Sequence, residues 1–260
     1  MTNRHRQKIG MIVTDLDGTL LKTDKTISDY TKSILEKCKQ SGIKLVYATG
    51  RGSSAETLAS SVLFDGKVMV NGAIAKVGNE LVYKCVIPYQ VAQPILIACD
   101  KRGMQVASEL GSMHYSNFVV AGKWAHIFNY KIVDLSHHEL DAEKIYSPDT
   151  TPSDVQFIEQ LLPDNLYAVK NMDESGLLVS IMHKDATKSK AVAELASIWG
   201  ILPENIVAFG DEENDIDLLQ YAGTGIAVDN ALDVVKQVAT YVCRSNDEDG
   251  IARWLEENVL

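Results

Sequence analysis

Apolar, strand-like runs alternate with helical ones at both ends of this 260-residue chain, and the alternation stops in the middle. At the front, Ile9 to Thr14 reads as a strand. A helix begins near Ser28, carries Ile34, Leu35 and Cys38 on one face, and is closed by Gly42; the strand Ile43 to Ala48 follows at once. Ser53 to Leu63 reads as a second helix and Lys67 to Val70 as a third strand. At the back, helices from about Thr187, Glu213, Ala231 and Asp247 alternate with strands Ile206 to Phe209, Gly225 to Val228 and Thr240 to Cys243. Such alternation buries both faces of a sheet, which predicts an α/β fold: a doubly wound, mainly parallel, Rossmann-like sheet built from both chain ends. Residues 84–183 differ, with short β-like segments, Gly- and His-containing turns, and helices after Pro88 and Pro152. They read as an inserted α+β domain between core segments 1–83 and 184–260.

Hydrophobic residues at 46% and charged residues at 23% exclude disordered and collagen-like classes. The net charge of −10 argues against a nucleic-acid partner, which calls for a basic surface. Cys38, Cys85, Cys99 and Cys243 form no Cys-x-x-Cys pair, so neither a zinc ribbon nor a disulfide framework is indicated, and a reducing cytoplasm fits best. Met1 to Lys8 carries Arg4, Arg6 and Lys8, but the apolar run Ile9 to Val13 is too brief for a signal sequence or a membrane span. No membrane partner is expected.

The first strand runs into Asp15-Leu16-Asp17-Gly18-Thr19-Leu20. Residues at i and i+2 of a strand share a side, so Asp15 and Asp17 converge at the carboxyl end, where open α/β sheets place ligands. An acidic turn at Asp17-Gly18 is the plainer reading of this segment alone. A calcium loop starting at Asp15 fails, because Leu20 stands where Gly is needed and Thr26 stands at the twelfth position. A second acidic group, Gly210-Asp211-Glu212-Glu213-Asn214-Asp215, follows the strand ending at Phe209. Helix-dipole preference accounts for Glu212, Glu213 and Asp217 without any function. Both acidic groups nevertheless end strands of one inferred parallel sheet, so their carboxylates meet on one edge as a hard-cation site of Mg²⁺ type.

On the same edge, Ala48-Thr49-Gly50-Arg51-Gly52 offers a hydroxyl and backbone amides. Gly50 to Ala55 also matches G-x-G-x-x-A, a weak dinucleotide signal, since the next strand ends in Asn71 with no carboxylate for a ribose. No Gly-Lys-Ser/Thr occurs, so a P-loop is absent. Lys188, at a helix start, reads as a solvated lysine on base rates, although the dipole disfavours a cation there. His137 and His138 read as an exposed turn, and Trp124, Trp199 and Trp254 as packing residues.

Taken in order, Asp15-Leu16-Asp17-Gly18-Thr19-Leu20, Ala48-Thr49-Gly50-Arg51, Asp185-Ala186-Thr187-Lys188 and Gly210-Asp211-Glu212-Glu213-Asn214-Asp215 resemble the four motifs of the haloacid dehalogenase superfamily. More narrowly they resemble its Cof-type phosphatases, which carry a large inserted α+β cap (type IIB). The resemblance spans nearly all of both core segments and matches the insert in position and size only.

It implies that Asp15 is a nucleophile forming an aspartyl-phosphate, and that Asp17 protonates the leaving alcohol and then activates water. It also implies Mg²⁺ held by Asp15, the Asp17 carbonyl and Asp211, and a phosphate cradle of Leu16, Thr49, Gly50, Lys188 and Asn214, with Asp215 orienting Lys188 or a metal-bound water. Lys188-Ser189, Asp229-Asn230-Ala231 and Gly52 depart from the common pattern without removing a chemical group. The implied activity is Mg²⁺-dependent hydrolysis of a small phosphorylated metabolite such as a sugar phosphate, with the insert as a lid. Transfer to another hydroxyl, as in phosphomutases, and a receiver-like phosphoacceptor are the alternatives.

Overall fold

The computed structural model describes residues 9–60, 62, 64–125, 127–173 and 176–260, so the basic segment Met1 to Lys8 and Leu63 lie outside the described residues. The first stretch forms β1 (Met11–Thr14), α1 (Asp29–Gln40), β2 (Lys44–Ala48), α2 (Ser54–Leu58), β3 (Gly66–Met69), β4 (Ile74–Val77) and β5 (Glu80–Lys84). The middle forms α3 (Tyr89–Lys101), β6 (Ala107–Leu110), β7 (Met113–Ser116), β8 (Tyr130–Ile132), β9 (Lys144–Ser147), α4 (Pro152–Leu161), β10 (Leu166–Asp173) and β11 (Gly176–His183). The last stretch forms α5 (Lys188–Trp199), β12 (Ile206–Gly210), α6 (Ile216–Tyr221), β13 (Thr224–Val228), α7 (Asp233–Val238), β14 (Tyr241–Cys243) and α8 (Gly250–Asn258). No helix among the described residues is long and apolar enough to cross a membrane.

The chain divides into two compact units, one up to Tyr83 together with Thr187–Leu260, the other Lys84–Ala186. The sequence puts the return to the first unit after His183. In the structure the Lys184 N–H still donates to Asn165 O at 2.8 Å and the Asp185 N–H to His183 Nδ1 at 3.1 Å, which keeps 184–186 with the second unit.

The first unit holds an eight-stranded sheet ordered β14-β13-β12-β1-β2-β3-β4-β5. Pairs from β14 to β3 are parallel and β3–β4 is antiparallel. β1 and β12 are buried along their whole length, as expected of central strands covered on both faces. From β1 the chain winds one way through β2 and β3, and from β12 the other way through β13 and β14. The switch point, where such sheets open a crevice at the strand ends, therefore lies between β1 and β12.

Local chemistry sets the helix ends. Ser28 caps α1 by accepting the Thr31 N–H at 3.0 Å, and Gly42, at φ +86°, takes the left-handed turn beyond Ser41. The expected helix Ser53 to Leu63 ends at Leu58, where the Ser60 hydroxyl takes the Thr57 carbonyl at 2.6 Å. The β4–β5 extension lies outside the alternating pattern; the chain turns between these strands at Gly78, φ +58°.

The second unit has its own six-stranded sheet, ordered β10-β11-β9-β6-β7-β8, antiparallel except for β7–β8. Its largest apolar cluster joins α3 residues Ile95, Leu96 and Cys99 and α4 residues Val155 and Ile158 to Ile145, Val179 and Ile181 of the sheet. His137 is exposed as expected, but His138 is buried, with Nε2 at 2.9 Å from Ser108 Oγ and its ring 4.8 Å from that of Tyr115. Trp124 packs edge-on against Tyr146, and Trp254 packs between Phe209 and Tyr241.

Candidate active site

Thr14 of β1 lies in register with Phe209 of β12 and Tyr47 of β2, so the segments after these three strands leave one edge of the sheet at the same level. That edge carries Asp15-Leu16-Asp17, Thr49-Gly50-Arg51 and the turn from Asp211 to Asp215. β1 ends at Thr14, so Asp17 sits in a turn closed by the Leu21 N–H on Leu16 O at 2.8 Å, and strand alternation is not what aims it.

Asp15, Asp211 and Asp215 are buried and each offers a carboxylate oxygen within 4.8 Å of the others. Lys188 reaches them from the first turn of α5, fully buried, with Nζ donating to Asp15 Oδ1 at 2.6 Å and Asp215 Oδ1 at 2.7 Å. It is an interior ion-pair partner and not the solvated lysine that base rates favour. The other Asp215 oxygen accepts the Asp211 and Glu212 N–H groups, both at 3.1 Å, and Thr19 Oγ1 donates to Asp211 Oδ1. A side-chain carbon on Gly18, at φ +74°, would run into the Asp211 carboxylate, so only glycine lets the two loops approach this closely.

Three buried carboxylates face one buried ammonium, and the excess charge has electrostatic consequences. Burial, against the pull of Lys188 and with the Asp215 charge beside it, pushes the Asp15 carboxyl up to about 8. Burial likewise pushes Asp211 up to about 7. Lys188 is held above its ordinary value: burial works against its charge, and Asp15 and Asp215 outweigh that. A buried, all-oxygen donor set with surplus negative charge suits a hard divalent cation, so the residues fit Mg²⁺.

Asp17 is held differently. Arg51 Nη2 donates to its Oδ1 at 2.8 Å, Arg51 Nε donates to Oδ2, and Lys25 Nζ reaches Oδ1 at 2.7 Å. Burial raises its carboxyl, but these hydrogen bonds and charges outweigh it and leave Asp17 below the ordinary carboxylate value.

Thr49 is buried, and its Oγ1 accepts the Arg51 N–H at 3.2 Å. Asn214 joins it through a residue that sequence reasoning passed over: Asn71 Oδ1 accepts from Asn214 Nδ2 at 2.9 Å, while the Asn71 N–H donates to Thr49 O at 3.0 Å. Val70 and Asn71 both take positive φ, 51° and 54°, a strained turn directly after β3 on the same edge. The available signal was the Asn71-Gly72 pair closing a strand. The structure thus gathers Asp15, Asp211, Asp215 and Lys188 in one cluster, and links Thr49 to Asn214 beside Gly50. Leu16 is buried next to Asp15. Arg51, Lys25, Thr19, Asn71 and Asp217 carry contacts for which the sequence suggested no role. Asp217 Oδ2 accepts the Ser189 N–H at 3.0 Å, placing a carboxylate at the N-terminus of the helix that bears Lys188.

The haloacid dehalogenase-like hydrolase family model matches residues 12–255. The chain is 27% identical over 263 residues to the 5-amino-6-(5-phospho-D-ribitylamino)uracil phosphatase YitU of Bacillus subtilis (strain 168), a match covering 95% of this chain and 96% of that protein. The solved structure of BT1666 from Bacteroides thetaiotaomicron, described among the phosphatases of the HAD enzyme superfamily, superposes with a TM-score of 0.83 at 26% identity, covering 99% of this chain and 97% of that one. BT4131, described as a HAD subclass IIB sugar phosphatase, superposes with a TM-score of 0.77 at 25% identity, covering 95% and 98%.

Proposed function

The chain belongs to the haloacid dehalogenase-like hydrolases and is an enzyme of their phosphatase type, and from that premise we propose that it hydrolyses a small phosphomonoester through an aspartyl-phosphate on Asp15. The observation that carries this reading is the Asp15 carboxylate bonded at 2.6 Å to a fully buried Lys188, at the edge where β1, β2 and β12 end. One relative is named a 5-amino-6-(5-phospho-D-ribitylamino)uracil phosphatase and one structural neighbour a sugar phosphatase. A sugar or sugar-alcohol phosphate is accordingly the proposed substrate class. Catalysis is assigned to the unit formed by the two chain ends, and the choice of substrate to the unit Lys84–Ala186.

Asp15, the Asp17 carbonyl and Asp211 are the proposed Mg²⁺ ligands, with Asp215 beside them. When bound, Mg²⁺ offsets the repulsion between the carboxylates and an incoming phosphate dianion. Asp15 attacks phosphorus while Lys188 holds positive charge against the transferring oxygens. Thr49, the amides of Leu16 and Gly50, and Asn214 hold the remaining phosphate oxygens. Asp17 takes a proton from the water that cleaves the acyl phosphate and, in the protonated form so produced, gives one to the departing alcohol of the next turnover. Asp215, bonded to Lys188 at 2.7 Å and to two backbone N–H groups, keeps the ammonium aimed at Asp15.

The test is phosphate release from a panel of sugar and sugar-alcohol phosphates, with Mg²⁺ or excess chelator, beside Asp15→Asn. Metal-dependent release, lost by at least about 10³-fold in the variant, is expected. Phosphate appearing only on an added hydroxyl acceptor replaces hydrolysis with transfer, and equal release by parent and variant overturns the assignment of Asp15.

A further inference from the structure

The loop between β13 and α7 touches both acidic segments. From one end, the Leu232 N–H donates to the Asp211 carbonyl at 3.0 Å. From the other, Asn230 Nδ2 donates to the Gly18 carbonyl at 2.7 Å. The orientation of the Asn230 amide is fixed, because its Oδ1 accepts the Asn246 N–H at 3.0 Å and only the nitrogen is left to face Gly18. Asn246 is itself buried and donates from Nδ2 to the Leu21 carbonyl at 2.9 Å. Two asparagines therefore hold the Asp17–Leu21 turn at two of its carbonyls, and the carbonyl held by Asn230 belongs to Gly18, the residue between Asp17 and Thr19.

Those two neighbours matter to the cation site. Thr19 Oγ1 donates to Asp211, and Gly18 packs against the Asp211 carboxylate so closely that no side chain fits. The direction of the Asp17 carbonyl and the reach of the Thr19 hydroxyl are both set by the Gly18 backbone, which at φ +74° has no side chain to restrict it. Something outside the turn must hold it, and Asn230 is in direct contact.

We infer that Asn230 is a positioning residue of the metal site, setting through Gly18 how the Asp17 carbonyl and Thr19 meet Asp211. The inference rests on the proposed Mg²⁺ reading. Asn230 bonds to backbone groups, the Gly18 carbonyl and the Asn246 N–H; it acts by keeping the ligands in register, and it is exposed, so its removal takes little from the fold.

Calorimetric titration of Mg²⁺ into the metal-free parent, Asn230→Ala and Asn230→Leu tests this without reference to turnover. Both variants lose the donor, and the leucine keeps the bulk. Each is expected to bind Mg²⁺ roughly tenfold more weakly, a typical cost of losing a group that orients ligands. Their thermal unfolding in chelator is expected to stay within about 4 °C of the parent, the shift for one modest hydrogen bond. A merely structural role predicts the reverse: lowered unfolding temperature with unchanged Mg²⁺ affinity. That result, or parental affinity in both variants, overturns the assignment of Asn230 and leaves the metal reading standing. A parent that takes up no Mg²⁺ overturns both, and its own titration tells the two failures apart.

Discussion

Arg51 grips Asp17 from two nitrogens, Nη2 at 2.8 Å from Oδ1 and Nε on Oδ2, and Lys25 adds a third contact at 2.7 Å. The carboxylate proposed to handle protons is thus fixed by two cations from separate segments, one from the turn after β2 and one from the loop before α1. Such charge-assisted bonds are stronger than neutral ones and allow little rotamer freedom.

Arg51→Ala removes the two-point grip and leaves only Lys25. Turnover of alkyl phosphates, whose leaving group needs a proton, is expected to fall about tenfold, part of the 10²–10⁴ that a positioned acid supplies. Nitrophenyl phosphate, whose leaving group departs unprotonated, is expected to lose less. Kinetics on the two substrate types check this, and equal losses on both argue that Arg51 serves something other than the aim of Asp17.

Lys188→Met exchanges the buried ammonium for an apolar chain of similar length and strands Asp15 and Asp215 without their partner. Breaking a buried pair in this way is expected to cost roughly 3–5 kcal/mol in urea unfolding of the metal-free protein, and to abolish phosphate release. Adding Asp215→Asn is expected to recover much of the stability and none of the turnover. Parental stability in the single variant would count against the pair as drawn.

Asp211 carries part of the pH dependence, in the same direction as Asp15. Its folded value, about 7, lies above the unfolded carboxylate value, so the group favours the fold below the unfolded value. That contribution is lost as pH rises through about 7. The metal-free protein is therefore expected to unfold at lower temperature at pH 8 than at pH 5, apart from other groups. Asp211→Asn, which cannot ionise, is expected to unfold about 2–4 °C higher than the parent in chelator at pH 8, and to gain little at pH 5. Scanning calorimetry at both pH values decides it; a variant that melts lower at pH 8 refutes the sign.

Much of this was legible in the chain, for reasons particular residues make plain. The runs at Ile12-Val13, Leu45-Val46 and Val207-Ala208 are apolar on both faces because the central strands are covered on both sides, so the parallel core could be read from them. Asp15, Asp211 and Lys188 could be located because each follows or opens such an element. Asn71 could not, since its place depends on a left-handed turn that no periodicity reports. Arg51 was seen, but its bond to Asp17 is set by two loops whose shapes the motifs do not contain. The burial of Lys188 could not be read from its own segment, because its two partners lie 173 and 27 residues away.

The strand order has a consequence for how the molecule is made. Met11 pairs on one side with Lys44 and on the other with Ile206. During synthesis β1 can gain its first flank early, but its second waits until nearly four-fifths of the chain has emerged. The unit Lys84–Ala186 is one continuous stretch and has every strand available before β12 exists. Because folding proceeds largely unit by unit from the N-terminus, the inserted unit can form while the sheet of the first unit still lacks its second half. Asp15 and Asp211 meet only when β12 docks beside β1, so the chemistry at this edge is assembled after the inserted unit is made.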